Sequence, residues 1–318
     1  VEFAEPPERI VIAGRALLMV ADAVYMFPEA TERVVAYEKI TQGKGNFLSV
    51  LDPALEEKTV LPIGVGAEGI AAVNPDVVIL KSYMRRKLGQ PLENVGIAVI
   101  YSQFESPAQF IRDIRTIGEV MGNAERTRAI VSYYQERLDF VAEKLAGNTS
   151  PASTLFLYYS QRGGAQTLNV PPDTWLQSVM VEKAGGKPVW KGAVAGKGWT
   201  KVGIEQIAAW DPHYIFVTSY FANPEEAVAT LKTDPLWSTL EAVQNDTIYA
   251  VPGDFYSWDQ PDPRWILGYL WLAQKINPGR FSGLDMRQEA RTFYERMYGL
   301  SPREYEKNLK PLLQGDLD

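Results

Sequence analysis

GAEGIAAVNPDVVIL (66–80) and GIEQIAAWDPHYIFV (203–217) are two renderings of one pattern, with Gly, Glu, Ile, Ala, Ala and Pro coinciding in register. The physical content of the pattern is a short helix meeting a strand. A glutamate two residues after the glycine falls in the first helical turn, where the macrodipole favours negative charge. The proline cannot continue the helix, and it restricts the residue before it. The closing apolar run predicts a strand buried on both faces, as parallel sheets require. In each half another apolar run follows, at 97–101 and at 247–251. A helix–strand unit that occurs twice with the same sequel predicts two lobes of similar topology.

Outward from the repeat, further strand signals lie at 9–13, 34–37, 60–63 and 154–159, and helical patterns at 17–27, 68–73 and 107–120. Such alternation predicts mainly parallel sheet flanked by helices, an α/β fold. Between the halves, 124–145 carries Ile130, Tyr133, Tyr134, Leu138, Val141 and Leu145 near helical spacing. The expected architecture is an N-terminal α/β lobe over 1–122, a connecting long helix over 123–151 and a C-terminal α/β lobe over 152–318.

Composition narrows the function. The chain has 318 residues, 46% hydrophobic and 22% charged, an ordinary globular balance. No apolar run approaches the roughly 20 residues of a membrane span. The net charge of −7 argues against nucleic acid as a partner. Without cysteine there is no disulfide, thiolate metal site or cysteine nucleophile. His213 is the one histidine, so a multi-histidine metal site has nothing to draw on. It stands where the first repeat has Asp76 and reads as a surface residue at a strand start. The chain begins at Val1 with no visible signal peptide, as a processed chain would.

Residues 64–69, GVGAEG, fit G-x-G-x-x-G after a strand. The surrounding unit spans about 20 residues rather than the roughly 30 of a nucleotide-binding βαβ unit. The stretch KSYMRR (81–86) supplies basic residues where a ribose-binding acid would be needed. No P-loop is present, and Asp254, Asp259 and Asp262 sit among prolines where turn roles explain them. No catalytic constellation stands out. What does recur is aromatic and arginine residues on the loops after strand ends, where open α/β sheets bind ligands. The second recurring feature is the pair Glu68 and Glu205, which occupy the same position of the repeat.

The two repeats, the long connector and the closing segment LEAVQNDTIYAVP (240–252) resemble the solute-binding proteins of ABC importers for ferric siderophores, haem and cobalamin. The resemblance runs from about residue 9 to residue 300. It implies a ligand held between two lobes and a periplasmic or extracellular location, with a lipid anchor as an option. It also implies a monomer that delivers its cargo to membrane permease subunits, with Glu68 and Glu205 as the docking acids. No permanent cofactor, resident metal or catalytic residue is implied. Within this family, rings and guanidinium groups suit a preassembled anionic iron(III) chelate. Haem, cobalamin and molybdate or tungstate are the alternatives, and an α/β enzyme of the same shape is the alternative outside the family. The expected ligand-binding residues are Arg15, Tyr83, Arg85, Tyr158, Arg162, Trp199, Tyr220, Tyr256 and Trp258.

Overall fold

The computed structural model describes residues 3–162, 165–194 and 196–317. Its first compact unit holds five strands: β1 (Ile10–Ile12), β2 (Val34–Glu38), β3 (Thr59–Leu61), β4 (Val77–Lys81) and β5 (Ala98–Ser102). They form one sheet in the order β3-β2-β1-β4-β5, parallel throughout. The order reverses at β1, so the loops leaving β1 and β4 emerge side by side, with Ile12 opposite Ile79. Such a switch point is where doubly wound sheets place ligands. Val77–Leu80 are fully buried, as the uninterrupted apolar run requires.

The second unit holds β6 (Ala152–Arg162), β7 (Ala165–Val170), β8 (Gly186–Pro188), β9 (Thr200–Val202), β10 (Tyr214–Thr218) and β11 (Ile248–Ala250). The order is β11-β10-β6-β7-β9, with β8 beside the first residues of β6. Here the sheet is mixed. β6 runs parallel to β10 and β8 but antiparallel to β7, and β7 antiparallel to β9. The expectation of parallel pairing therefore holds for the first sheet and for the β6–β10–β11 half of the second. β6 runs on past β10, and its last five residues, Tyr158–Arg162, pair with β7 on the opposite edge as an antiparallel hairpin.

Both repeats fold alike. Gly66 and Gly203 are extended N-caps of the helices Ala67–Ala71 and Ile204–Trp210. Ile70 and Ile207 are fully buried, each worth about 1.5–3 kcal/mol of apolar burial. Asn74 and Asp211 take the left-handed conformation that releases each chain from its helix. The strands are then stitched equivalently: Asp76 N–H donates to Arg9 O (2.8 Å) and His213 N–H to Ser153 O (2.9 Å). The side chains at this position differ in task. Asp76 Oδ2 accepts the N–H groups of Glu8 and Arg9 at 2.9 and 2.8 Å, while His213 Nδ1 meets Glu241 Oε1 at 2.7 Å.

The helix Ala124–Lys144 is continuous over 21 residues, about 32 Å at 1.5 Å per residue. Its residues through Gln135 belong to the first unit, and those from Glu136 to the second. The first unit also takes in Pro261–Pro263 and Tyr294–Leu300. Tyr134 OH donates to Pro263 O at 2.6 Å, and Arg126 donates to the carbonyls of Arg296 and Met297 at 3.0 and 2.5 Å. Phe47 contacts the rings of Tyr294 and Tyr298 edge-on. Among the described residues no helix is long and apolar enough to cross a membrane.

Candidate functional site

At the switch point of the first sheet, Arg15 follows β1 and Tyr83 follows β4. The pairing of those strands brings them together: Tyr83 OH donates to Arg15 O at 2.9 Å. Arg15 is exposed and Tyr83 is 56% exposed. Arg85 opens a single π-helical turn, Arg85–Gly89, and lays its guanidinium over the Tyr101 ring at 5.2 Å. Gly14 makes the junction possible. Its φ of +90° suits glycine, and a Cβ there would press on Met84 Cγ at 3.1 Å.

The glycine-rich loop after β3 is tied to the end of β2 by a carboxylate. Glu38, buried at the end of β2, accepts Gly14 N–H on Oε2 and Gly64 N–H on Oε1, both at 2.7 Å. A carboxylate of the chain itself thus occupies one N–H of this loop and one of the loop after β1. Lys81, at the end of β4, is buried beside Glu105 (3.2 Å), donates to Gln103 O, and lies over Phe104 at 5.5 Å. Burial pulls its ammonium below the usual lysine value, and the Glu105 charge opposes that pull.

In the second unit the sheet brings four aromatic residues to one place. Thr218, Tyr158 and Asn169 lie in register across β10, β6 and β7, with Lys201 of β9 next in the row. Tyr220 follows β10, Tyr158 is on β6, Trp175 follows β7 and Trp199 precedes β9. Their ring centroids are close: Tyr158–Tyr220 4.7 Å, Tyr158–Trp199 5.2 Å, Trp175–Trp199 5.6 Å and Trp199–Tyr220 6.1 Å. All four are half-buried. An aromatic cluster at strand ends that remains partly open suits ligand contact. Trp175 was missed by sequence reasoning. Its signal, a tryptophan just after the turn residues PPDT (171–174), was of the same kind as the others.

Behind this wall lies Asp259, itself buried. Its Oδ2 accepts Tyr220 OH at 2.6 Å and Gln177 Nε2 at 3.1 Å, and its Oδ1 accepts Ser257 and Thr218 hydroxyls at 2.6 and 2.9 Å. Burial and the Asp259 carboxylate push the Tyr220 phenol well above its ordinary value, against a weaker opposing hydrogen bond from Gln177. Tyr220 is therefore a neutral phenol.

Tyr256 and Trp258 are placed differently. Both are buried, Trp258 Nε1 donates to Asp254 Oδ2 at 2.7 Å, and the Arg264 guanidinium covers Tyr256 at 5.1 Å. Asp254 Oδ1 in turn accepts Arg264 Nε at 2.8 Å, with both side chains fully buried. These two residues hold the segment that carries Asp259 rather than joining the open wall. The side chain of Arg162 lies outside the described residues. Glu68 and Glu205 are both exposed in the first turns of their helices.

Among known proteins, the chain is 22% identical over 258 residues to the molybdate-binding protein MolA of Haemophilus influenzae, covering 74% of this chain and 71% of that one. It is 27% identical over 192 residues to the Fe(3+) dicitrate-binding periplasmic protein FecB of Escherichia coli, 60% of each chain. The fold matches an ABC transporter solute-binding protein from Sulfurospirillum deleyianum with a TM-score of 0.76 at 24% identity, over 97% of this chain and 95% of that one. The family model described as periplasmic binding protein matches residues 14–255, about three quarters of the chain, and the chain belongs to that family.

Proposed function

We propose that this chain is the extracytoplasmic receptor of an ABC importer, that it captures an iron(III) chelate, and that it delivers the chelate to a membrane permease. The observation that carries the reading is the open aromatic wall of Tyr158, Trp175, Trp199 and Tyr220. Rings of this kind bind a ligand with organic faces and offer little to a bare ion. Among the described residues no three His, Cys, Asp or Glu side chains group to hold one. The exposed Arg15 and Arg85 supply positive charge for carboxylate or catecholate oxygens. In this reading 1–122 and 152–318 are the two lobes and 123–151 the connector. Glu68 and Glu205 meet the permease, the receptor acts as a monomer, and its cargo is released unaltered, with no catalytic step and no resident cofactor.

Among the alternatives, haem with Tyr220 as axial ligand is disfavoured, because the Tyr220 hydroxyl is already engaged by the buried Asp259 at 2.6 Å. Molybdate is favoured by the relative MolA, which covers more of the chain than FecB. The deciding experiment is a tryptophan-quenching titration with ferric dicitrate, ferric hydroxamate and catecholate siderophores, haem, cobalamin and molybdate. A ferric chelate should bind with a Kd well below about 1 mM, and molybdate should not. Tight molybdate binding with no chelate binding would overturn the assignment, as would chemical conversion of the bound ligand.

A further inference from the structure

Four neutral groups donate to the buried Asp259, namely Tyr220 OH, Gln177 Nε2, Ser257 OH and Thr218 OH. No cation pairs with this carboxylate within 4 Å among the described residues. The arrangement fixes the polarity of the wall in front of it. Tyr220 has a single hydroxyl proton, and that proton is committed to Asp259. What the phenol can still offer a ligand is therefore an oxygen acceptor. Gln177 is 3% exposed, its amide nitrogen donates to Asp259, and its Oε1 is buried with no hydrogen-bond partner. A buried acceptor without a donor is costly, and its partial negative charge adds to that of Asp259 behind the wall. The ring faces of Tyr158, Trp175 and Trp199 carry the negative end of their quadrupoles. Carboxylate, committed phenol, unpartnered amide oxygen and ring faces all have the same electrostatic sign.

We infer that the Tyr158–Trp175–Trp199–Tyr220 wall, backed by Asp259, is a subsite for a positively polarised, hydrogen-bond-donating part of the ligand, with an ammonium group as its simplest form. The inference rests on the receptor reading above and deepens it. It assigns the donor-bearing arm of the chelate to this wall and leaves the anionic oxygens to arginine. Asp259 acts here as a positioning residue. It touches no ligand, but it orients Tyr220 and supplies the charge that a cation over the rings would feel.

The test uses a probe that is not a chelate, so its outcome does not depend on which chelate is carried. The intact protein is titrated with n-hexylammonium and with n-hexanoate, which share a chain length and differ in charge, with tryptophan emission as the readout. The ammonium should half-saturate at a concentration about tenfold lower than the carboxylate, the scale of a partly desolvated cation–π contact. Asp259→Asn should erase that preference. Should Asp259→Asn fail to fold, Tyr220→Phe keeps the ring, removes the acceptor and should reduce the preference several-fold. Equal binding, a preference for hexanoate, no emission change with either probe, or a preference that survives both substitutions would overturn the inference. If no ferric chelate binds while the ammonium preference stands, the function is wrong and the subsite is right. The reverse pattern sinks the subsite alone.

Discussion

Trp199 touches the rings of Tyr158, Trp175 and Tyr220. Truncating it opens the middle of the wall, so Trp199→Ala should cost about 1–3 kcal/mol of ligand binding, typical of a lost aromatic anchor. Arg85→Ala should cost a similar amount by removing an exposed guanidinium. Isothermal calorimetry with the bound chelate checks both, and unchanged affinities would remove these residues from the site. Lys81 offers a prediction of a different kind. Burial lowers its pKa in the folded chain from the ordinary 10.5. Between that lowered value and 10.5 the unfolded chain binds a proton that the folded chain does not, so stability rises with pH across that window. Below the window both states are protonated, and the burial penalty on the charged form is felt in full. Lys81→Met should remove the rising slope. Urea midpoints from about pH 7 to about pH 9 would show it, staying below the tyrosine range. A variant with the same slope as the parent would place the titration elsewhere.

The helix Trp265–Ile276 passes so close to the segment behind the wall that its glycine cannot be replaced without moving backbone. A Cβ on Gly268 would stand 2.3 Å from the backbone carbonyl oxygen of Trp258. Gly268→Ala should therefore destabilise by about 1–3 kcal/mol, since backbone must move to make room. Gly279→Ala, with nothing within 4 Å, should be tolerated. Thermal unfolding of the two variants is a direct comparison, and equal melting temperatures would refute the close approach. Elements of this size were legible where periodicity or repetition ran long enough. Residues 66–80 and 203–217 announced their helix–strand units, and the helix Ala124–Lys144 ends one residue short of its expected limit. β8 and β9 were invisible because three residues, GKP and TKV, carry no period; their neighbours in the sheet make them strands. In β7, AQTLNV, only Leu168 and Val170 alternate, so the hairpin with β6 had almost no apolar signal. Of the expected ligand residues, Tyr158, Trp199 and Tyr220 converge because strand order sets β6 beside β10 and β7, and β9 beside β7. Trp258 is buried on a hydrogen bond to Asp254 and Tyr256 under the Arg264 guanidinium, pairings that no apolar period in the sequence signals.

At the scale of the molecule, the repeat leaves one exposed acid in each unit, Glu68 and Glu205. Their nearest structural duty is a modest macrodipole contribution. On the receptor reading they set encounter and register with the permease, so Glu68→Lys or Glu205→Lys should slow uptake and leave ligand affinity unchanged. Reconstituted transport measured beside equilibrium binding would separate the two, and loss of affinity in either variant would relocate the acid to the ligand site. The division of the chain has a consequence for its genetics. Tyr294–Leu300 belongs to the first unit although it is encoded after most of the second. A fragment ending at Gln135 would leave Phe47 without Tyr294 and Tyr298, and Arg126 without the carbonyls of Arg296 and Met297. Such a fragment should be poorly folded alone and should gain ellipticity and solubility when a peptide of residues 286–300 is added in trans; no gain would mean the fragment is self-sufficient. A gene split at that point would give two products that function only by complementation, so neither half could be inherited, swapped or evolved as a free-standing module.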